Sequence, residues 1–292
     1  MPLPLAIVIP TYNRRAFTRD CLDALARQTD PDFLVIVVDD GSRDGTAEMI
    51  RTRFPAVLLL EGDGNLWWTA ATNLGTQTAL DRRAAAVMTL NDDTVPPPDF
   101  VARMKQAAAQ RPGALIGALA VSHDTGLPVH WGERIAWPTA SFIPLPRPPG
   151  DRFEGLHEVT HFPGRGLLIP ASVFFQIGLF DDRAFRHYAA DYDFTVRAAR
   201  AGHPVLCNYD APLRIREKES GGTALMRHRS WRHYGEHLTG LKGAGNLRVF
   251  VRFALRNCPS PWLLPCLACG LAKRLVGYPA HWLLESLGRR PS

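Results

Sequence analysis

No stretch of this 292-residue chain stays apolar for the ~20 consecutive residues that a membrane-spanning helix needs. The most apolar segment, PWLLPCLACGLAKRLVGYPAHWLLESLG from Pro261 to Gly288, is interrupted by Lys273 and Arg274. It reads as an interfacial helix with aromatic and basic residues, or equally as a terminal helix packed on its domain. Cysteine is sparse and odd in number: Cys21, Cys207, Cys258, Cys266 and Cys269 fit no disulfide framework. Cys266 and Cys269 form one CxxC without its second half, which argues against a structural zinc. Reduced thiols in a cytosolic protein are the expectation. The start, MPLPLAIVIPTYN, has no basic region before its apolar run, so no signal peptide is expected there. Repeats and low-complexity tracts are missing. The stretch GDGNLWWTAATNLG, Gly62 to Gly75, is not GxGxxG and gives little support to a dinucleotide site.

Hydrophobic content, at 46%, is that of an ordinary globular protein, and the length suits one large domain or one and a half. The net charge of +6 is unevenly spread. Between Arg214 and Arg256 lie ten basic residues, among them Arg216, Lys218, Arg227, Arg229 and Arg232, opposed only by Glu217, Glu219 and Glu236. Such a patch attracts phosphates, acidic lipid surfaces or nucleic acid, or is simply a solvated face.

Short all-apolar runs at 5–9, 33–38, 56–60 and 84–90 read as strands covered on both faces. Amphipathic stretches at 17–28, 46–54 and 69–79 separate them as helices. This alternation predicts an α/β fold, a Rossmann-like, mostly parallel sheet flanked by helices. Beyond Asp99 the regularity fades. A helix is expected over 100–110 and a strand over 115–121, while the proline-rich 136–150 reads as a long surface loop.

Ligands of open parallel sheets bind beyond the carboxyl ends of the strands. There the chain places Pro10, Thr11, Tyr12 and Asn13, then Asp39 and Asp40, then Asn91, Asp92 and Asp93. Adjacent carboxylates repel and need a partner, and Mg²⁺ or Mn²⁺ takes carboxylate oxygens together with substrate phosphates. Read alone, each pair serves equally as turn or cap chemistry, with Ser42 or Asp44 capping the next helix. A calcium loop from Asp40 fails at its twelfth position, where Arg51 stands for the required glutamate.

Together IPTYNR (Ile9–Arg14), VVDDGSRDGT (Val37–Thr46), the Asn65…Asn73-Leu74-Gly75 spacing and LNDD (Leu90–Asp93) resemble glycosyltransferase family 2 over roughly Leu5 to Val205. The resemblance implies the GT-A fold and inverting transfer of a hexosyl or deoxyhexosyl group from a nucleotide-sugar donor, aided by a divalent metal, Mg or Mn. It implies donor contacts from Pro10, Thr11, Tyr12, Asn13, Asp40, Asn65, Asn73 and Asp92. Asp92 and Asp93 fill the DXD-type position, with Asn91 where many members carry the first aspartate, and Asp93 is the first candidate metal ligand. Some relatives add a histidine, for which His228 stands as candidate.

GRGLLIPASVFFQIGLFDDRAFRHYAADYDF, Gly164 to Phe194, resembles the acceptor half of the same enzymes. Asp191 aligns with the usual catalytic base, although Ala190 replaces its customary acidic neighbour. Gly164, Arg165, Gly166 and Asp193 become acceptor-side candidates, with Trp67 and Trp68 offered as sugar-stacking rings. Without the motif, Asp191 reads as a helix cap and the tryptophans as packing.

The resulting division is a catalytic domain over 1–212, with a nucleotide-sugar half at 1–99 and an acceptor half at 100–212, and a basic helical C-terminal extension over 213–292. The expected acceptor is a glycan or lipid-linked molecule in cell-surface polysaccharide synthesis. The extension would touch the inner face of the cell membrane peripherally. A sugar-nucleotide nucleotidyltransferase would carry a Gly-rich phosphate loop after its first strand, and PTYNRRAF has no glycine. No base-reading motif is present and the expected crevice is acidic, so nucleic acid is not an expected partner.

Overall fold

Strands buried on both faces must be apolar at every position, and the first half of the chain is built this way. The computed structural model describes residues 5–216, 231–241, 243 and 245–286. Strands β1 (Ala6–Thr11), β2 (Leu34–Asp39), β3 (Leu58–Glu61) and β4 (Ala86–Thr89) pair in parallel in the order β3-β2-β1-β4. Helices α1 (Arg15–Leu25), α2 (Thr46–Arg53) and α3 (Trp67–Asp81) connect them. Successive residues of β1 feed opposite cores. Ala6 and Val8 face Ala71 and Ala79 of α3, while Ile7 and Ile9 face Cys21, Leu22 and Leu25 of α1. Helix α3 approaches closely because Gly75 has no side chain, where a Cβ would lie 2.5 Å from Val8 Cγ1.

The second half adds β5 (Thr94–Val95), α4 (Phe100–Gln110), β6 (Leu115–Ser122), β7 (Pro128–His130), β8 (Glu133–Ala136), β9 (Ser141–Pro144), β10 (Leu156–Glu158), β11 (Leu167–Pro170), α5 (Ala171–Ile177), α6 (Ala190–Arg200) and β12 (Val205–Ile215). The main sheet runs β10-β12-β6-β11-β4-β1-β2-β3, so the expected mostly parallel sheet is present with β11 inserted antiparallel between β4 and β6. The insertion sets up the site. An antiparallel neighbour begins where β4 ends, with Leu167 opposite Thr89 and the Gly166 N–H donating to the Thr89 carbonyl at 2.9 Å. The loop before β11 thereby reaches the edge that carries Asn91, Asp92 and Asp93.

The segment 136–150 is not the long loop its prolines suggest. It holds the far arm of a β8–β9 hairpin, turned by a 3₁₀ element at Trp137–Thr139 with Ala140 left-handed (φ 48°), and a second 3₁₀ turn at Pro149–Asp151. Prolines at the starts of these turns fit their fixed φ and missing N–H.

Among the described residues, α7 (Trp231–Thr239), α8 (Leu247–Asn257) and α9 (Leu263–Ser286) follow. Asn246 caps α8, accepting from the Val249 N–H at 3.0 Å and donating to the Thr239 and Gly240 carbonyls at 3.2 and 3.0 Å. Phe250 and Ala254 of α8 bury Cys266 of α9 between the helices. All five cysteines are free thiols. No helix among the described residues is long and apolar enough to cross a membrane.

Asp193 fastens α8 to α6. It is fully buried, with Arg197 Nε at 2.9 Å, Arg256 Nε at 3.3 Å and a hydrogen bond from Asn257 Nδ2 at 2.9 Å. This overturns its assignment to acceptor binding, since it points into the helix interface. Arg200 adds bonds to the Asn257 and Arg256 carbonyls at the end of α8. Removing a buried charge from its partners costs about 3–5 kcal/mol. Asp193→Ala should lower the unfolding free energy by that order in urea denaturation. A variant as stable as the parent would show the contact to be inessential.

Candidate active site

The two acidic pairs have different partners. Asp39 accepts from the Ser42 N–H at 3.0 Å and from the Ser42 hydroxyl. Asp40 Oδ1 accepts from the N–H groups of Gly64 and Leu66 at 2.9 and 3.1 Å, and Oδ2 accepts from Trp67 N–H at 2.9 Å. This first pair shapes its own turn and the entrance to α3, and Asp40 still borders the cleft. Asp44 accepts from Thr46 N–H at 3.1 Å in a turn just ahead of α2, whose N-cap is Gly45.

The second pair shares one cation. Arg14 Nε lies 3.3 Å from Asp92 Oδ1 and Arg14 Nη2 lies 3.1 Å from Asp93 Oδ2. Thr11 Oγ1 donates to Asp92 Oδ2 at 2.9 Å. The guanidinium rests over the Phe17 ring, 4.7 Å from its centroid, and Arg216 covers the same ring at 5.0 Å. Burial pushes the Asp92 carboxyl up to about 7, with Asp93 adding to the rise and Arg14 and Thr11 opposing it. The sequence reading missed Arg14 as a site residue. Its signal was a cation directly after PTYN and ahead of a helix.

These acids suit a hard divalent cation that keeps open positions for phosphate oxygens and water. The donor set is otherwise thin. Asn91 Oδ1 is taken by Trp68 Nε1 at 3.1 Å, and among the described residues no group of three or more His, Cys, Asp or Glu lies together as a metal site. Asp92 and Asp93 would hold a metal with the remaining positions filled by the ligand. His228 lies outside the described residues.

A cleft of about 800 Å³ extends from this edge. Pro10, Thr11, Tyr12, Trp67 and Trp68 line one part of it, and Gly164, Arg165 and Asp191 another. Asp191 is the second residue of α6. Its Oδ2 accepts from Gly164 N–H at 2.8 Å and its Oδ1 from Tyr192 N–H at 2.9 Å. Burial raises its carboxyl above the ordinary range, against those two hydrogen bonds and the nearby His161. It is thus both a first-turn acid and a cleft residue. Gly164 is required by Trp68, since a Cβ there would sit 2.3 Å from Trp68 Cζ2. Trp68 therefore touches the loop before β11 and the Asn91 side chain together. Trp67, at φ 59°, packs edge-on to His187.

Other expected residues lie away from the cleft lining. Asn73 exchanges hydrogen bonds with the Phe180 backbone at 2.8 and 3.1 Å, bracing α3 against the segment before α6. Asn13 accepts from Arg43 N–H at 2.7 Å and so ties the β1 loop to the β2 loop. Asn65 is exposed, with its carbonyl held by Arg186 at 3.0 Å. Gly166 has φ 74° and faces Leu213, where a Cβ would come within 2.7 Å of Cδ2. In this structure these residues support loops rather than line the cleft. The sequence reading also missed the walls made by Trp137 and Phe142 of the hairpin region and by Phe250, Phe253 and Arg274 of the C-terminal helices. No spacing rule links such distant segments.

The parallel half, the antiparallel insertion and an acidic cleft at the carboxyl edge define the GT-A fold. Solved structures agree: GalNAc-T7 with UDP, GalNAc and Mn²⁺ superposes with a TM-score of 0.61 at 13% identity, covering 96% of this chain and 58% of that one. S. aureus TarS gives 0.53 at 15% identity, covering 87% and 43%. A model described as Glycosyl transferase family 2 matches residues 6–177, and the chain belongs to that family. It is similar to an undecaprenyl-phosphate 4-deoxy-4-formamido-L-arabinose transferase of Aeromonas hydrophila, 34% identical over 116 residues, 36% of this chain and 34% of the relative. The chain spans about a third of the length of that relative and of an uncharacterized Haemophilus influenzae glycosyltransferase.

Proposed function

We propose that this protein moves a sugar from a nucleotide-diphosphate sugar to a hydroxyl of a glycan or lipid-linked acceptor, with inversion. The observation that carries the reading is that Asp92–Asp93 and the half-buried Asp191 border one cleft. A divalent cation bound by Asp92 and Asp93 would stabilise the charge of the departing diphosphate. Thr11 and Arg14 hold both carboxylates in place, and Pro10, Thr11, Tyr12 and Asp40 border the donor side. Trp67 and Trp68 offer ring faces to a sugar. Asp191, kept basic by its raised pKa, would take the acceptor proton as the hydroxyl attacks from the face opposite the leaving group. Arg165 beside Gly164 completes the acceptor side. The named relative acts on an undecaprenyl phosphate and one structural neighbour binds UDP with Mn²⁺, which supports a lipid-linked acceptor and a metal-assisted donor site here.

The C-terminal helices support peripheral membrane contact at the inner face. Arg248, Arg252 and Leu255 share one exposed face of α8, and Trp262, Leu264, Leu275 and Val276 are exposed on or beside α9. Basic and apolar groups together suit an anionic bilayer surface.

The enzyme reading is tested by thermal stabilisation with UDP, dTDP, GDP and CMP, each with and without Mn²⁺. One diphosphate should raise the melting temperature in a metal-dependent way, and Asp93→Ala should abolish the metal dependence. No response to any nucleotide would refute it. Asp191 acts only when deprotonated, so kcat/KM should fall as pH drops through a value above the usual carboxylate range of about 4. Asp191→Asn should lose about 10²–10⁴-fold in rate together with that limb; an unchanged pH profile would remove Asp191 from the base role. Cosedimentation with anionic vesicles should be lost when Trp262 and Leu264 are both changed to glutamate. Retention of binding would sink the membrane contact.

A further inference from the structure

Part of the same cleft is lined by residues that proton transfer and donor binding do not require. Apart from Trp137 of the hairpin region, these residues lie outside the stretch that matches the family model. Trp137 stacks on Phe253 with centroids 5.9 Å apart at 23°. Val249 and Phe250 of α8 and Cys266 of α9 continue an apolar surface. The one charged group contributed by these helices is Arg274. Its guanidinium carbon lies 3.8 Å from the Phe250 ring centroid, and it donates to the Gly270 carbonyl of its own helix at 3.1 Å. Its Nε is buried without a hydrogen-bond partner, and no acid among the described residues forms an ion pair with it. Gly270 permits the arrangement, since a Cβ there would overlap the Phe250 ring at 1.9 Å.

A half-buried cation against an aromatic face, with an orphaned N–H and no carboxylate, is costly unless something answers it. Guanidinium geometry is suited to phosphate. Apolar walls around it disfavour a free, fully hydrated ion and favour an anion carried on a hydrocarbon chain. The donor diphosphate has its own place at Asp92–Asp93, so the occupant belongs to the acceptor side. We infer that the C-terminal helices build a tail site in which Phe250, Phe253 and Trp137 hold the apolar chain of a lipid-linked acceptor and Arg274 binds its phosphate. This deepens the transferase reading and rests on it.

The probes are dodecyl phosphate, dodecanol and inorganic phosphate, each below micelle formation, titrated by intrinsic tryptophan fluorescence. Dodecyl phosphate should bind about tenfold or more tighter than dodecanol, and inorganic phosphate should not saturate. Arg274→Gln should erase the preference for the phosphate while leaving dodecanol binding in place, and Arg274→Lys should keep part of it. The double change at Trp262 and Leu264 should leave the preference intact, separating the tail site from the outer membrane face. Stabilisation by nucleoside diphosphate with Mn²⁺ is measured on the same proteins and should not change in Arg274→Gln. Equal binding of dodecanol and dodecyl phosphate, or a preference that survives Arg274→Gln, would overturn the tail site while the nucleotide response keeps the transferase reading. An Arg274-dependent preference in a protein with no nucleotide response would overturn its acceptor role.

Discussion

Two neighbouring carboxylates at the end of a buried strand are the constraint around which this molecule is arranged. Asp92 is almost sealed from solvent, and a second acid follows it directly. Such a pair is tolerable only beside a positive charge. In the protein alone Arg14 supplies it, reaching both acids from the loop after β1, while Thr11 donates to Asp92 from the same loop. The ends of β1 and β4 are thereby locked together without any ligand. The cation is held on the Phe17 ring and does not need a bound diphosphate to stay in place.

The second organising element is Trp68. Its Nε1 donates to Asn91 Oδ1 beside the acidic pair, and its ring lies over Gly164 in the loop before β11. Gly164 in turn donates to Asp191. One chain of contacts therefore runs from the strand end bearing the acids to the candidate base. A shift of the tryptophan would be felt at both ends, at Asn91 and at Gly164 beside Asp191.

The alternation of buried strands and helices up to β4 was legible because each strand there is apolar on both faces, and the strand-end acids followed from that reading. Asp191 was found through its motif and not through spacing, since a first-turn acid looks the same whether or not a cleft lies in front of it. Asn73 and Gly166 were misread as contacts because a motif marks loop geometry and ligand binding alike. Asp193 was misread for a related reason. Two residues beyond Asp191 on a helix, it points to a different side, and which side is buried depended on helices from the end of the chain. The hairpin within 136–150 was hidden by its prolines, which begin short 3₁₀ turns as readily as they populate loops.

That helix geometry also accounts for the role of the C-terminal extension. Helix α6 presents Asp191 to the cleft and Asp193 to α8, and the buried acid with Arg197, Arg256 and Asn257 fixes the angle between them. The residues of α8 that complete the cleft, Val249, Phe250 and Phe253, are thus referenced to the same helix that carries the candidate base. The cleft wall made by α8 is fixed relative to Asp191 through one short, desolvated network rather than through a flexible linker. Positioning of reacting groups is among the larger sources of rate enhancement. The C-terminal helices thus contribute both to the cleft lining, through Val249, Phe250, Phe253, Cys266 and Arg274, and to an exposed outer face.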